Sequence, residues 1–257
     1  MPNMSDPENI RSPVSVSARP PRTPRTWDFM ETLFVALLAD GAFMLTSGLA
    51  LGVMLIMHDG AASLPPAQLR SLWMQGNWQG VALIAGSPPA IAVVWIAVRM
   101  AGRDFAEYLA LNWPSTRETV RAFVIMAFLL VVELVAISFA RPDFGMDHYF
   151  IVKDAGGLFI LLIGGCIVAP IMEEFVVRGF MFRGWSESFV GPIGAIVLTS
   201  ALWALNHTQY GWFGRFWIFV TGLALGHFRW RSNSTWLTVM VHSAINTLFF
   251  FLSGPYT

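Results

Sequence analysis

Apolar residues run along this chain in long blocks, and polar residues gather between them. Seven blocks stand out, over roughly 31–57, 80–101, 120–140, 155–182, 190–207, 213–228 and 235–252. A helix needs roughly 20 apolar residues to cross a bilayer, and most blocks approach or exceed that length. The pattern predicts an all-α protein, a polytopic transmembrane helix bundle of about seven spans enclosing a polar intramembrane cavity. Between the first two blocks lies a loop, 58–79, holding Arg70. Between the second and third lies 102–119, where Phe105-Ala-Glu-Tyr-Leu-Ala-Leu reads as a short amphipathic helix at the interface.

Residues 1–26 are polar and rich in Pro, Ser and Arg, too poor in apolar surface to fold. They read as a disordered cytoplasmic tail with no cleavable signal peptide. Residues 27–257 then form a single transmembrane domain. Basic residues test the orientation. Four precede the first span (Arg11, Arg19, Arg22, Arg25), one follows it (Arg70), and four flank the next turn (Arg99, Arg103, Arg117, Arg121). Arg141 and Lys153 come next, then Arg178 and Arg183, Arg215, and Arg229 and Arg231. The alternation, strong early and weak late, places the N-terminus in the cytoplasm. The Arg-heavy composition suits a bacterial inner membrane.

Composition sharpens this picture in two places. Only 12% of residues are charged, against about 25% in soluble domains. The formal net charge is zero, and the basic residues sit in loops rather than in a phosphate-binding stripe. Nucleic acid is excluded as a partner; the bilayer is the expected one. The single cysteine, Cys166, lies within an apolar block and reads as a small packing residue.

The informative exceptions are ionisable groups inside apolar blocks, which are expensive at membrane depth and face a protein interior or a wet cavity. Asp40 and Glu133 have no motif around them and read as polar contacts between helices. Ala169-Pro-Ile-Met-Glu173-Glu174-Phe-Val-Val-Arg178-Gly is different. Neighbouring residues on a helix point about 100° apart, so the two acids cannot share a face. Glu174 precedes Arg178 by four, the favourable spacing for a helical ion pair. That leaves Glu173 as the reactive carboxylate. In an apolar setting it is suited to act as a general base on water.

His207 closes a later block and can share that water, with Trp203 one turn earlier on the same face. His242 and Asn246, also four apart, present two hydrogen-bond groups suited to an oxyanion. A base, a water partner and an oxyanion site describe amide hydrolysis. No serine or cysteine has the setting of a nucleophile. Asn206 reads as a local backbone partner, His227 as interfacial, and His58 and His148 as loop residues. Gly222-Leu-Ala-Leu-Gly226 has the small-residue spacing of close helix packing.

Glu173-Glu174-x-x-x-Arg178, then Trp203-x-x-x-His207, then His242-x-x-x-Asn246, resembles the CPBP family, the CAAX-protease and bacteriocin-processing membrane proteins also called Abi. This family includes the type II CAAX prenyl endopeptidase. The likeness covers about residues 155–251. Trp203 departs from it, since the family usually has Phe there. By the resemblance, Glu173 activates water with His207 assisting, His242 and Asn246 stabilise the oxyanion, and Glu174 and Arg178 support them. It implies a peptide or protein substrate, associated with the membrane and in some members lipidated at its C-terminus.

Glu173, His207 and His242 also form a His₂Glu set, a known catalytic zinc arrangement, although the His-Glu-x-x-His helix is absent. The metal-free glutamate mechanism is the favoured reading, with no cofactor; zinc is its alternative. The competing functions are a non-proteolytic immunity or scaffold protein of the same fold and a proton-coupled transporter. For the latter, neither internal repeats nor paired broken helices are visible. One geometric condition stands over the mechanism. If the fourth span ends near residue 182, Glu173 lies only about 13 Å from that end at 1.5 Å per residue, and His207 about 25 Å along its own helix. A fourth helix extended through Trp185, or a kink at Pro170, would bring them level.

Overall fold

A computed structural model describes residues 24–58, 64–65, 68–69, 72, 75–140 and 155–253. The tail through residue 23, together with Arg70, Arg141, His148 and Lys153, lies outside them. Most of the described residues are helical. The helices are α1 (Phe29–Met57), α2 (Gly76–Met100), the short α3 (Phe105–Leu109), α4 (Thr116–Ala140), α5 (Ala155–Ser186), α6 (Gly191–Asn206), α7 (Trp212–Ser232) and α8 (Thr235–Ser253). All seven predicted segments are helical, with ends within about four residues of expectation, and α3 falls on the predicted amphipathic segment. Five helices (α1, α2, α4, α5 and α8) are long and apolar enough to cross a membrane. Helix α6 is apolar but shorter. Helix α7 falls outside that set; it carries Arg215, Arg229, Arg231 and His227. Large apolar side chains such as Phe34, Leu45 and Phe128 are more than 60% exposed, as expected of surfaces solvated by lipid.

Helix α5 alternates between geometries. Gly164–Val168 and Phe175–Met181 are π-helical, and the α-helical stretch Ala169–Glu174 between them carries both acids. Such wide turns recur at functional sites. Helix α5 crosses α2 through two glycines. A Cβ on Gly164 would lie 2.8 Å from the Gly80 carbonyl oxygen, and one on Gly80 would lie 2.5 Å from that of Ile160. Backbones therefore touch there, as small residues permit between membrane helices. The expected small-residue seam is also present. Gly222 and Gly226 of α7 face Ser200 and Ile196 of α6, and a Cβ on Gly222 would lie 2.9 Å from Ser200 Cβ.

The ends are tied by polar contacts at one face of the bundle. Asp28 caps α1 by accepting from Glu31 N, and Glu31 bonds back to Asp28 N, a reciprocal capping box. Ala110 and Asn233 both adopt left-handed backbone (φ 52° and 48°). The two turns that hold them are stitched together: Thr235 N donates to the Ala110 carbonyl at 2.9 Å, and Asn112 Nδ2 to the Asn233 carbonyl at 2.9 Å. Nearby, Arg103 and Arg183 both pair with Glu107, and hydrogen bonding to Arg103 holds the Glu107 carboxyl below the usual carboxylate range. These bonds join α3 to the end of α5.

The α6–α7 seam generates a stability test. Gly222→Val should destabilise the protein by about 1–3 kcal/mol, the usual cost of overpacking, read as a lower thermal midpoint in detergent. Gly52→Ala, where an added Cβ meets nothing within 4 Å, should not lower it.

Candidate active site

The α-helical stretch of α5 holds the two acids on different faces, and the structure divides them as their spacing predicts. Glu174 is fully buried. Its Oε1 accepts from Arg178 Nη1 at 3.0 Å and lies 2.9 Å from His242 Nδ1. Arg178 is likewise fully buried. Its guanidinium lies 4.3 Å from the centre of the Trp203 ring, a cation–π contact that compensates part of its desolvation. Gly222 makes room for it, since a Cβ there would stand 3.2 Å from Arg178 Nη2. Glu173 is half-buried, and its Oε2 accepts from Trp203 Nε1 at 2.6 Å. Its other oxygen makes no hydrogen bond among the described residues.

Trp203 links the remaining parts. Its ring meets His207 edge-on at 5.0 Å and His242 at 5.2 Å, centre to centre. Its carbonyl oxygen lies 2.7 Å from His207 Nδ1. A carbonyl only accepts, so that nitrogen carries the proton, and the neutral ring presents the Nε2 lone pair. The same reasoning at Glu174 puts a proton on His242 Nδ1. Both imidazoles are thus oriented by their Nδ1 partner, with Nε2 left for chemistry.

The geometric condition on Glu173 and His207 is met. Helix α5 continues to Ser186, which places Glu173 about 20 Å from that end at 1.5 Å per residue, against about 24 Å for His207 along α6. Both contact the same indole. Asn246 stands one turn from His242 on α8, and its Nδ2 donates to the Gly165 carbonyl at 2.9 Å. Its amide therefore has one structural partner in the π-helical stretch of α5, which spacing did not foretell.

Other polar residues take places that the sequence did not reveal. Arg229, counted among loop charges, is buried; its Nε donates to the Arg178 carbonyl at 3.0 Å and its Nη1 to Asn233 Oδ1. Arg215 pins the loop carrying His207, with Nε to the carbonyls of His207 and Tyr210 and Nη2 to that of Thr208. An arginine just after a helix C-terminus can be read as a partner for its last carbonyls; for Arg229 nothing in the sequence signals its role. Asn206 is not confined to local backbone, because its Nδ2 reaches Asp40 Oδ1 of α1 at 3.5 Å. Asp40 is thus an interhelical contact, as expected. Glu133 is buried on α4, on the face that continues from Ala122 and Met126, which pack on the cluster around Trp203. Cys166 is buried and forms no disulfide, and His227 is exposed beside Trp230.

The alternative zinc set can be tested on this geometry. Each histidine offers Nε2 with Nδ1 held by an oxygen, the orientation a metal ligand needs. The three groups do not converge, however. Among the described residues, no three of His, Cys, Asp and Glu lie close enough together to hold a metal ion. Trp203 packs against both imidazoles and occupies Glu173 Oε2. The donor types suit zinc, but their arrangement does not fit it.

An open apolar groove of about 410 Å³ lies on the side of α5 away from Glu173. It is lined by Ile91, Ala92 and Trp95 of α2, Phe105 of α3, and Val168 and Ile171 of α5. Ile171 and Glu173, two residues apart on α-helix, point to nearly opposite sides.

With this geometry in hand, comparison with known proteins gives one match. Residues 155–248, from the start of α5 into α8, match the family model described as Type II CAAX prenyl endopeptidase Rce1-like. Glu173, Glu174, Arg178, Trp203, His207, His242 and Asn246 all fall inside it. No curated protein and no solved structure matches the chain. The match is consistent with the CPBP family that the motif order resembles. With the apolar helices, it supports a membrane protein of the CAAX-type intramembrane protease class.

The buried pair generates a sharp expectation. Arg178→Met should destabilise the protein by about 3–5 kcal/mol, because it leaves Glu174 buried with its main counter-charge gone. Arg178→Met combined with Glu174→Leu should be less damaging than Arg178→Met alone. Thermal unfolding of the three proteins in detergent measures the difference.

Proposed function

We propose that this protein is a glutamate-dependent intramembrane endopeptidase that hydrolyses a peptide bond in a membrane-associated substrate. The observation that carries the proposal is the contact of Glu173 and His207 with one indole, beside a Glu174–His242 pair. In this reading Glu173 takes a proton from a water shared with His207 Nε2. The resulting hydroxide adds to the peptide carbonyl carbon. The carbonyl oxygen becomes negative and accepts hydrogen bonds from His242 Nε2 and from the second Nδ2 hydrogen of Asn246. For His242 to donate there it must be the imidazolium, since Nδ1–H is engaged by Glu174. Collapse of the intermediate breaks the C–N bond, and the proton held by Glu173 passes to the leaving amine.

The apolar groove supports the finer part of the proposal, a substrate that carries an apolar group at its C-terminus. It is walled by α5 itself, directly behind the residues that perform the chemistry, and offers no charged partner. A lipid chain suits such a lining.

Cleavage of a fluorogenic peptide library, with and without a C-terminal prenyl group, tests the activity. Glu173→Ala should reduce cleavage by about 10²–10⁴-fold, the usual contribution of a general base, in a protein that still unfolds cooperatively. Chelator should leave wild-type cleavage unchanged. Undiminished cleavage by Glu173→Ala would refute the assignment of the base, and loss on chelation would refute the metal-free chemistry. Ala92→Trp, which fills the groove, should raise KM severalfold for the prenylated peptide and leave that of the unmodified peptide nearly the same.

A further inference from the structure

We infer that Trp203 is a positioning residue for Glu173, acting through its indole N–H, and that this chain depends on a hydrogen bond that the Phe usual in the CPBP family cannot make. The inference rests on the hydrolase reading above for its catalytic consequence, although not for the bond itself.

Three observations carry it. First, Trp203 Nε1 lies 2.6 Å from Glu173 Oε2, a short contact to a carboxylate and of the stronger, charge-assisted kind. Second, the indole cannot easily swing away. It is buried at 7% exposure, its face is covered by the Arg178 guanidinium at 4.3 Å, and both imidazoles lean on it at 5.0 and 5.2 Å. Third, Trp203 belongs to the packed cluster with Leu225, Leu237 and Val241, so α7 and α8 fix the ring from behind. A rigid donor therefore grips one oxygen of a half-buried carboxylate and leaves the other to meet water. A phenyl ring at this position would keep the faces that touch Arg178 and the histidines but would release the carboxylate to rotate. Trp203 thus aims the base while its own carbonyl sets the tautomer of His207.

Trp203→Phe is the informative variant, because it deletes the N–H and keeps an aromatic ring. Two measurements on the full-length protein in detergent separate the bond from its consequence. In ¹⁵N–¹H spectra of the tryptophan indoles, the resonance lost in Trp203→Phe identifies Trp203. That resonance should shift in Glu173→Ala. In the peptidase assay, Trp203→Phe should lower kcat at least about tenfold, the range for losing a hydrogen bond to a charged group, with KM within about twofold. An indole resonance indifferent to Glu173→Ala would overturn the hydrogen bond. A shifted resonance with wild-type kcat in Trp203→Phe would overturn the positioning role. Absence of cleavage by the wild type, with the resonance shifted, would leave the bond standing and bring down the hydrolase reading together with the catalytic role built on it.

Discussion

The Glu174–Arg178 ion pair is the constraint around which this bundle is organised. Both groups are withdrawn from solvent completely, and neither could remain charged there alone. Each neighbour answers part of that demand. His242 supplies a second donor to Glu174 from α8, Trp203 covers the guanidinium from α6, and Gly222 of α7 withholds a Cβ that would crowd it. One pair thereby fixes the mutual positions of four helices. It also separates the two acids. Glu174 is held by Arg178 and His242, whereas Glu173, turned about 100° around the helix, faces Trp203 with one oxygen unengaged.

Much of this was legible because membrane helices leave strong signals. Long apolar blocks fix the seven main helices to within a turn, and acid-to-base spacing of four picks Glu174 as the structural partner. The aromatic-to-histidine and histidine-to-asparagine spacings likewise name residues that the fold brings near one another. What stayed hidden depends on contacts between distant segments. Spacing shows that Trp203 shares a face with His207, but not that its N–H points across to α5. It shows that Asn246 follows His242, but not that a π-helical turn offers it the Gly165 carbonyl. Arg229 reads as a loop charge at a helix end, and only the fold turns it inward to the Arg178 carbonyl. The extension of α5 to Ser186 was open in the sequence as one of two ways to bring Glu173 level with His207, and a distant contact decides it. Residues 183–186 include Arg, Gly and Ser, so hydropathy stops short of them, while Trp185 anchors that turn by donating to the Phe29 carbonyl.

In the proposed hydrolysis, the net charge of the cluster would be conserved. With His242 as the imidazolium, Glu174, Arg178 and His242 sum to one positive charge, which the ionised Glu173 offsets. When Glu173 takes the water proton, its negative charge disappears and one appears on the substrate oxygen, next to His242. The cluster therefore stays balanced through the step. Negative charge moves a short distance between groups already oriented to receive it, and little solvent has to reorganise, the condition under which fixed donors contribute most. A zinc site built from Glu173, His207 and His242 would need His242 neutral and its Nε2 turned to a shared point with the other two. The Trp203 ring is set against both imidazoles and bonded to Glu173. In the proposed mechanism this indole is also the group that would hold the base in place, so the Phe-to-Trp departure would bear on the aim of Glu173.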